Sequence, residues 1–496
     1  MEAGYSFQSY DEEDCHGRLT GFSEGQLSNF RVEGCPSVSL FPRELSPFVE
    51  QNASSNRVIA GFARVASQLT SKLSMSANIR REGSVRLGIN NKWNTFYGLG
   101  LGYDIGSLIR MQEKDQLVFR TSYGKSGMVP TSSGWAADIF ETIIGVDGQP
   151  IDVLTRSGND DLTHEITKEI NTGLTLKAGA VWATFDWYVR QNTGLVEFIS
   201  IDFNQVSPIY FNSIDIRTAG IDLAVQVNLL ESDRFRWDAS FVGAHYSNQV
   251  TGMAGPARRE GFSQPPFSTS VTHILAEEGS LGDFFGPILT EVSPDGSPVL
   301  QDINNDGEIR LPRLTGSITD VDAAVLGSGV PSWELGLQQS IRYQNWHMSM
   351  LLRGAFGHSL HNVYRAIHEP VSTLDMIRNS PIAKDGQNIQ NVIEYSSAYI
   401  ETADFLTVDN ISLGYRFPVT LASKSSFVTA TFTAQNVLTI TNYSGFTPEP
   451  ALVDRGDSFN GSFRSNNTPS LASAGNDHLT QYLPSSRFAF TLLFDL

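Results

Sequence analysis

Between residues 181 and 190 the chain alternates strictly: Val181, Ala183, Phe185, Trp187 and Val189 fall on one face, and Trp182, Thr184, Asp186, Tyr188 and Arg190 on the other. A period of two is that of a β-strand, whose successive side chains point to opposite faces. The pattern recurs at 221–229, where Ile221, Leu223, Val225, Val227 and Leu229 oppose Asp222, Gln226 and Asn228, and at 428–435, where Val428, Ala430, Phe432 and Ala434 alternate with Thr429, Thr431, Thr433 and Gln435. No apolar run approaches the about 18 residues of a membrane helix. A soluble β-sandwich and a transmembrane β-barrel both satisfy this alternation.

Composition separates the two. Charged residues make up only 18% of the chain, against 10% aromatic residues and 43 glycines, which is too little charge for an ordinary soluble surface. A barrel wall accounts for it, with one face toward lipid and the other toward a wet lumen. Connections agree. Tight turns are read at Lys177–Ala180, Glu231–Asp233 and Gln344–Asn345, and long polar excursions at 11–55, 127–162, 250–330, 358–398 and 442–482. Short turns alternating with long loops mark outer-membrane barrels, whereas a compact soluble domain rarely carries several structureless loops beyond about 15 residues. The expectation is an all-β, antiparallel transmembrane barrel wall of about 14 strands. Its last strand, 486–496, carries Phe488, Phe490, Leu492, Phe494 and Leu496 on one face.

The net charge of −18 argues against a nucleic-acid partner, which calls for a basic patch. The two cysteines, Cys15 and Cys35, allow a local disulfide in an oxidising compartment or two idle thiols. Residues 1–7 have neither a basic n-region nor an apolar h-region, so they are not a signal peptide. A membrane barrel needs export, and the expectation is a chain that starts inside a longer protein.

Candidate sites are few. Asp302-Ile303-Asn304-Asn305-Asp306-Gly307-Glu308-Ile309 opens like an EF-hand loop, but position twelve, which should be a bidentate Glu, is Arg313, beside Pro312. Two readings stay open. Asp302, Asn304, Asp306 and Glu308, with Asp320 or Asp322, would hold a structural Ca²⁺ in an external loop, or the same residues would form an Asx-rich turn in which Gly307 supplies a positive φ. His358 and His361 are spaced for zinc only if helical, and they directly follow a strand. Gly98-Leu99-Gly100-Leu101-Gly102 lacks the βαβ context of a nucleotide loop and reads as small residues in a strand. No nucleophile elbow or HExxH appears, so no catalysis is expected. Planar rings stack on sugars or peptides, which makes Trp135, Trp182, Tyr188, Tyr210 and Phe211 candidate substrate contacts; rim-girdle or loop-packing aromatics are the alternative.

Specific motifs go beyond pattern. Arg81-Glu82-Gly83-Ser84-Val85-Arg86-Leu87-Gly88 with Asn91-Lys92-Trp93, Phe119-Arg120-Thr121-Ser122-Tyr123-Gly124-Lys125-Ser126-Gly127, Glu165 to Leu174, Ala403-Asp404-Phe405-Leu406 with Asn410-Ile411-Ser412-Leu413-Gly414-Tyr415, and Gln435 to Glu449 follow one another in the order of a known family. The chain resembles the SusC/RagA-type TonB-dependent outer-membrane transporters, which carry a loop similar to 302–309 at the corresponding place. The resemblance implies about 22 strands around a plugged lumen, of which this chain holds part, without signal peptide, TonB box or plug. It further implies import of oligosaccharides or peptides, a SusD-like surface lipoprotein as lid, and energy from TonB, ExbB and ExbD. Thr407-Val408-Asp409 departs from the family's basic pair, and Leu496 stands where the family commonly ends on Phe. A passive porin-like channel and a soluble extracellular β-sandwich binding module are the competing readings.

Overall fold

The computed structural model describes residues 1–18, 48–106, 108–109, 111–112, 114–130, 134–144, 149–199, 209–263, 270–293, 297–312, 318, 320–368, 395–421, 424–449, 474–477 and 485–495. One antiparallel sheet of 14 strands dominates, each strand pairing with its sequence neighbour in the sheet. In chain order these are β1 (Glu2–Arg18), β2 (Phe48–Gln68), β3 (Leu73–Ser84), β4 (Trp93–Asp104), β5 (Gln116–Met128), β6 (Glu165–Ala178), β7 (Val181–Ile199), β8 (Ile209–Glu231), β9 (Phe235–Met253), β10 (Trp333–Tyr343), β11 (Trp346–Phe356), β12 (Phe405–Leu421), β13 (Lys424–Thr441) and β14 (Arg487–Asp495). All 14 expected strands are present. Such a meander is the wall of an up-and-down barrel, and a sandwich of two packed sheets is ruled out. Among the described residues β1 and β14 form the two edges and do not pair with each other.

The register shows what each face meets. Asn228, Asp238, Ser340, Ser349, Ser412 and Thr433 are direct partners across six strands, with Asn228 Nδ2 donating to Asp238 Oδ1 at 2.9 Å and the Ser349 and Ser412 hydroxyls 2.7 Å apart. The adjacent row, Trp237, Ile341, Met348, Leu413, Phe432 and Phe490, is wholly apolar. Side chains alternate across a strand, so the polar row faces the lumen and the apolar row faces lipid.

Aromatic residues bound the lipid face. Phe235, Tyr343, Trp346 and Tyr415 are in register beside the short turns. On the same strands, Trp333 and its partners His245 and Phe356 are in register toward the long loops, with the His245 and Trp333 rings stacked at 4.3 Å. Trp333 and Tyr343 begin and end β10; their separation of about ten residues spans about 26 Å along the normal at a tilt of ~40°, matching the ~25 Å apolar band of an outer-membrane barrel.

The long connections hold structure that alternation did not reveal. A hairpin pairs Ile139–Ile144 with Pro150–Arg156, and a four-stranded sheet joins Arg258–Ser263, Ser270–Leu275, Asp283–Gly286 and Ala324–Ser328. Two clusters of deeply buried residues lie here and at the outer strand ends: Ile214, Ile216, Val250 and Leu275 form one, and Leu360, Ala403 and Tyr443 the other. The barrel wall itself exposes its apolar side chains, as lipid solvation requires. The first excursion is shorter than its expected bounds because β1 and β2 extend to Arg18 and Phe48.

Candidate functional site

The lumen wall is organised by charge pairs across strands. Arg120 on β5 reaches over Gly173 to both oxygens of Asp186 on β7, each at 3.0 Å; a side chain at Gly173 would collide with that carboxylate. Arg190 Nε donates to Glu169 at 2.7 Å. Arg353 on β11 donates from Nε to Asp409 at 2.8 Å. Asp409 is the extra residue of a bulge in β12, between Val408 and Asn410, and a bulge re-aims the side chain it inserts. The departure from the family's basic pair therefore places a carboxylate against Arg353.

Of the five candidate aromatics, Trp182 and Tyr188 lie on the lumen face of β7. Trp182 pairs with Lys177 and Gln226 and lines a groove of about 380 Å³ with Gln226, Asp238, Ser240, Gln338 and Ser340, near the short turns. Its neighbours are amides, hydroxyls and a carboxylate, suited to solutes rich in hydrogen-bonding groups. Tyr188 lies between Asn171 and Gly220 in register, with the Arg190 guanidinium 5.7 Å from its ring centre. Trp135, in a loop, and Tyr210, at the outer end of β8, are brought together with their rings parallel within 3° and 4.1 Å apart. They are 7% and 1% exposed, with Arg156 over the Tyr210 ring, so the pair packs the loops and leaves no free ring face. Phe211 is half-buried on β8 opposite Glu197.

The outer loops close over the strand ends through a buried polar network. His273 Nε2 is 2.8 Å from the Ala474 carbonyl and its Nδ1 2.8 Å from Thr272 Oγ1, while Asn476 Nδ2 donates to Thr272 Oγ1 at 3.2 Å. Tyr443 donates to Asp477 at 2.7 Å. Glu401 accepts from Ser444 N–H and Oγ, both at 2.9 Å, and from Arg365. His361 lies in the short strand Ser359–His361, edge-on to Tyr395, and His358 Nε2 is 2.9 Å from the Pro448 carbonyl, so the two histidines are not on a helix. Motif order hinted at Tyr443 through Glu449, but nothing in the sequence ties residues 272–273 to 474–477.

The 302–309 loop has the geometry of nested Asx turns. Asp302 accepts from Gly307 N–H at 2.8 Å, Asn304 from Asp306 N–H at 3.0 Å, and Asp306 from Glu308 N–H at 2.8 Å. Asn305 and Gly307 have φ of 59° and 84°. Arg310 bridges Asp306 and Glu308, so a cation would have to displace a guanidinium. Buried Asp322 accepts from Arg310 N–H at 2.7 Å and Ile303 N–H at 2.8 Å, and these two bonds hold its carboxyl below the usual aspartate range. Among the described residues no group of three or more His, Cys, Asp and Glu is placed to hold a metal. Cys15 lies on β1 opposite Gln51; Cys35, Arg313 and Leu496 fall outside the described residues.

A sequence profile described as "TonB dependent receptor-like, beta-barrel" matches residues 16–437. The chain belongs to the TonB-dependent receptor β-barrel family. This receptor wall is 23% identical over 476 residues to TonB-dependent receptor P3 of Formosa agariphila, covering 90% of this chain and 46% of that one. It is also 23% identical to TonB-dependent receptor SusC of Bacteroides thetaiotaomicron, covering 88% and 45%. Among solved structures it superposes on the RagAB peptide importer in its closed-closed state with a TM-score of 0.75 at 17% identity, covering 99% of this chain and 53% of the other. The receptor wall thus spans about half the length of the relatives it matches, and like them it is an outer-membrane protein.

Proposed function

We propose that this receptor wall forms part of a SusC-like importer that takes oligosaccharides or peptides across the outer membrane, working with a SusD-like surface lipoprotein and energised through TonB. The observation that carries the reading is the lumen face: in-register rows of hydroxyls, amides and paired charges from β5 to β13, with Trp182 set among Lys177, Gln226, Ser240 and Gln338. Such a wall solvates a hydrophilic cargo without trapping it, since Arg120, Arg190 and Arg353 are already paired with carboxylates. Supporting likenesses are the SusC relative and the fold shared with the RagAB peptide importer. The packed outer loops give a lid a firm surface to seat on.

The test is uptake of labelled maltodextrin and labelled oligopeptide pools by cells producing the receptor, with and without an uncoupler. Uptake of one pool that stops with the uncoupler supports active import. Uptake unaffected by it would favour a passive channel.

A further inference from the structure

The segment that leaves β13, residues 442–449, is held at four points. Ser444 donates from N–H and Oγ to Glu401, each at 2.9 Å, and the Phe446 ring meets that of Tyr364 at 4.8 Å. The buried Pro448 offers its carbonyl to His358 Nε2 at 2.9 Å, and Glu449 accepts from Arg353 at 2.6 Å. Arg353 stands in the lumen row of β11, with Gly336 and Thr407 as register partners. The last tie therefore brings the segment to the outer mouth of the lumen.

Of the four ties, the one through His358 depends on a proton that is exchanged near neutral pH. His358 lies just beyond the outer end of β11 and is 2% exposed. A carbonyl only accepts, so Nε2 carries the ring proton. Nδ1 is buried and meets no hydrogen-bond partner among the described residues. A neutral imidazole leaves only a lone pair there, whereas an imidazolium would place an N–H donor and a charge where no acceptor stands. Phe405, also 2% exposed, is edge-on to the ring at 6.2 Å and already has the Arg353 guanidinium 5.6 Å from its centre. Protonation would bring a second cation to the same side chain.

The carboxylates that act on His358 are Asp404, at the entry to β12, and Glu334, on β10. One oxygen of Asp404 accepts from Gly357 N–H at 2.6 Å, and one of Glu334 from the Tyr246 hydroxyl at 2.8 Å. Burial outweighs both carboxylates and the Pro448 bond, and holds the imidazole below the ordinary 6.5. Around the segment stand Arg353, Arg365, Glu401, Glu449 and the buried phenol of Tyr443. Burial pushes the Glu401 carboxyl up, but bonds from Arg365 and Ser444 outweigh burial and keep it below the usual glutamate range.

We propose that His358 is an acid-release latch: neutral, it clamps residues 446–449 at the outer mouth of the lumen, and protonated, it lets go of Pro448 and frees the segment. The imidazolium has two donors for one acceptor and satisfies the second only by leaving its pocket for water. One solvent proton is taken up per opening. The closed state has the lower pKa, so the latch is fully engaged above 6.5. Below that, each pH unit favours opening by up to about tenfold until the lowered closed-state value is passed.

Hydrogen–deuterium exchange of the full-length receptor in detergent tests the latch at pH 7.5 and pH 5.5, with labelling times scaled to the intrinsic rate at each pH. Protection within 442–449 should fall about three- to tenfold at pH 5.5 and return at pH 7.5, while 428–435 in β13 is unchanged. His358→Gln, whose amide nitrogen can still donate to Pro448 but does not titrate, should keep its protection at both pH values. His164→Phe should leave the acid response in place. Heat-modifiable migration on a cold gel establishes that each variant is folded; if His358→Gln is not, the native receptor and His164→Phe still decide. Unchanged protection of 442–449 in the native receptor, or an equal loss in 428–435, overturns the proposal. So does an acid response that survives in folded His358→Gln or disappears in His164→Phe.

Discussion

Arg353 Nη2 donates to Glu449 at 2.6 Å across 96 residues of chain, and through Nε the same guanidinium holds Asp409 in the barrel wall. One side chain therefore ties the segment after β13 to β11 and β12, with Phe405 beneath it at 5.6 Å. The two bonds differ in worth. Arg353 and Glu449 have side chains 43% and 53% exposed, so a double-mutant cycle with Arg353→Gln and Glu449→Gln should give a coupling of only about 0.2–1 kcal/mol. Arg353→Met should cost more, about 1–3 kcal/mol, because it strands the half-buried Asp409 carboxylate. Urea unfolding in detergent measures both, and a larger coupling to Glu449 than to Asp409 would refute this ranking.

The 302–309 loop makes a conformational prediction free of packing. A Cβ at Gly307 meets nothing within 4 Å, yet the residue has φ of +84°, so Gly307→Ala should lower stability by about 1 kcal/mol through backbone strain alone. Asp322→Ala should cost about 1–3 kcal/mol by leaving the N–H groups of Arg310 and Ile303 unpaired. Because the Asp322 carboxyl is held below its ordinary 3.8, its contribution is complete above that pH and disappears as pH falls further, through the lowered folded value. Melting curves with and without Ca²⁺ also weigh the two readings of this loop: a rise in melting temperature that Asp306→Asn abolishes would establish the cation, and no rise is expected while Arg310 holds Asp306 and Glu308.

His164, just before β6, is fully buried, and neither ring nitrogen has a hydrogen-bond partner. Phe96 meets it edge-on at 5.2 Å and Glu82 lies 4.0 Å away. Burial lowers its pKa below the ordinary 6.5; Glu82 opposes this and Lys125 adds to it. A histidine kept neutral by the fold contributes fully above 6.5, and that contribution falls as pH drops toward the lowered folded value, by up to about 1.4 kcal/mol per pH unit in that window. Melting temperature should therefore fall between pH 7 and pH 5, and His164→Phe should flatten the slope. A native melting temperature that rises in the same window would mean that protonation forms an ion pair with Glu82 instead.

How much was legible follows from what each feature depends on. Strand positions and faces were readable because lipid and lumen impose a period of two on every spanning segment, as in Val181 to Arg190. The loop sheet around Phe284 and the bonds joining Thr272 to Asn476 were not, because they rest on contacts between segments some 200 residues apart whose local sequence carries no period. The aromatic candidates divided along the same line. Trp182 and Tyr188 followed from alternation and face the lumen, whereas Trp135 lay in the 127–162 excursion, without a period, and stacks on Tyr210 at the outer end of β8. Asp409 read only as a departure from a motif until the bulge showed it against Arg353.

Tyr188 and Gly220 give the last prediction, which separates structural from solute-binding roles on the lumen wall. A Cβ on Gly220 would stand 2.6 Å from the Tyr188 hydroxyl and 2.8 Å from the His245 carbonyl, so the bare glycine lets the tyrosine ring lie flat over β8. Gly220→Ala should destabilise the wall by about 1–3 kcal/mol, the usual range for overpacking. Tyr188→Ala should remove the part of that cost due to the ring and leave the part due to the backbone carbonyl, so the double variant should be more stable than additivity predicts. If Tyr188 also contacts the cargo, Tyr188→Phe, which keeps the ring on Gly220, should leave the unfolding free energy within about 0.5 kcal/mol of native while reducing uptake. Unchanged uptake in Tyr188→Phe, with the Gly220→Ala coupling intact, would confine the residue to packing.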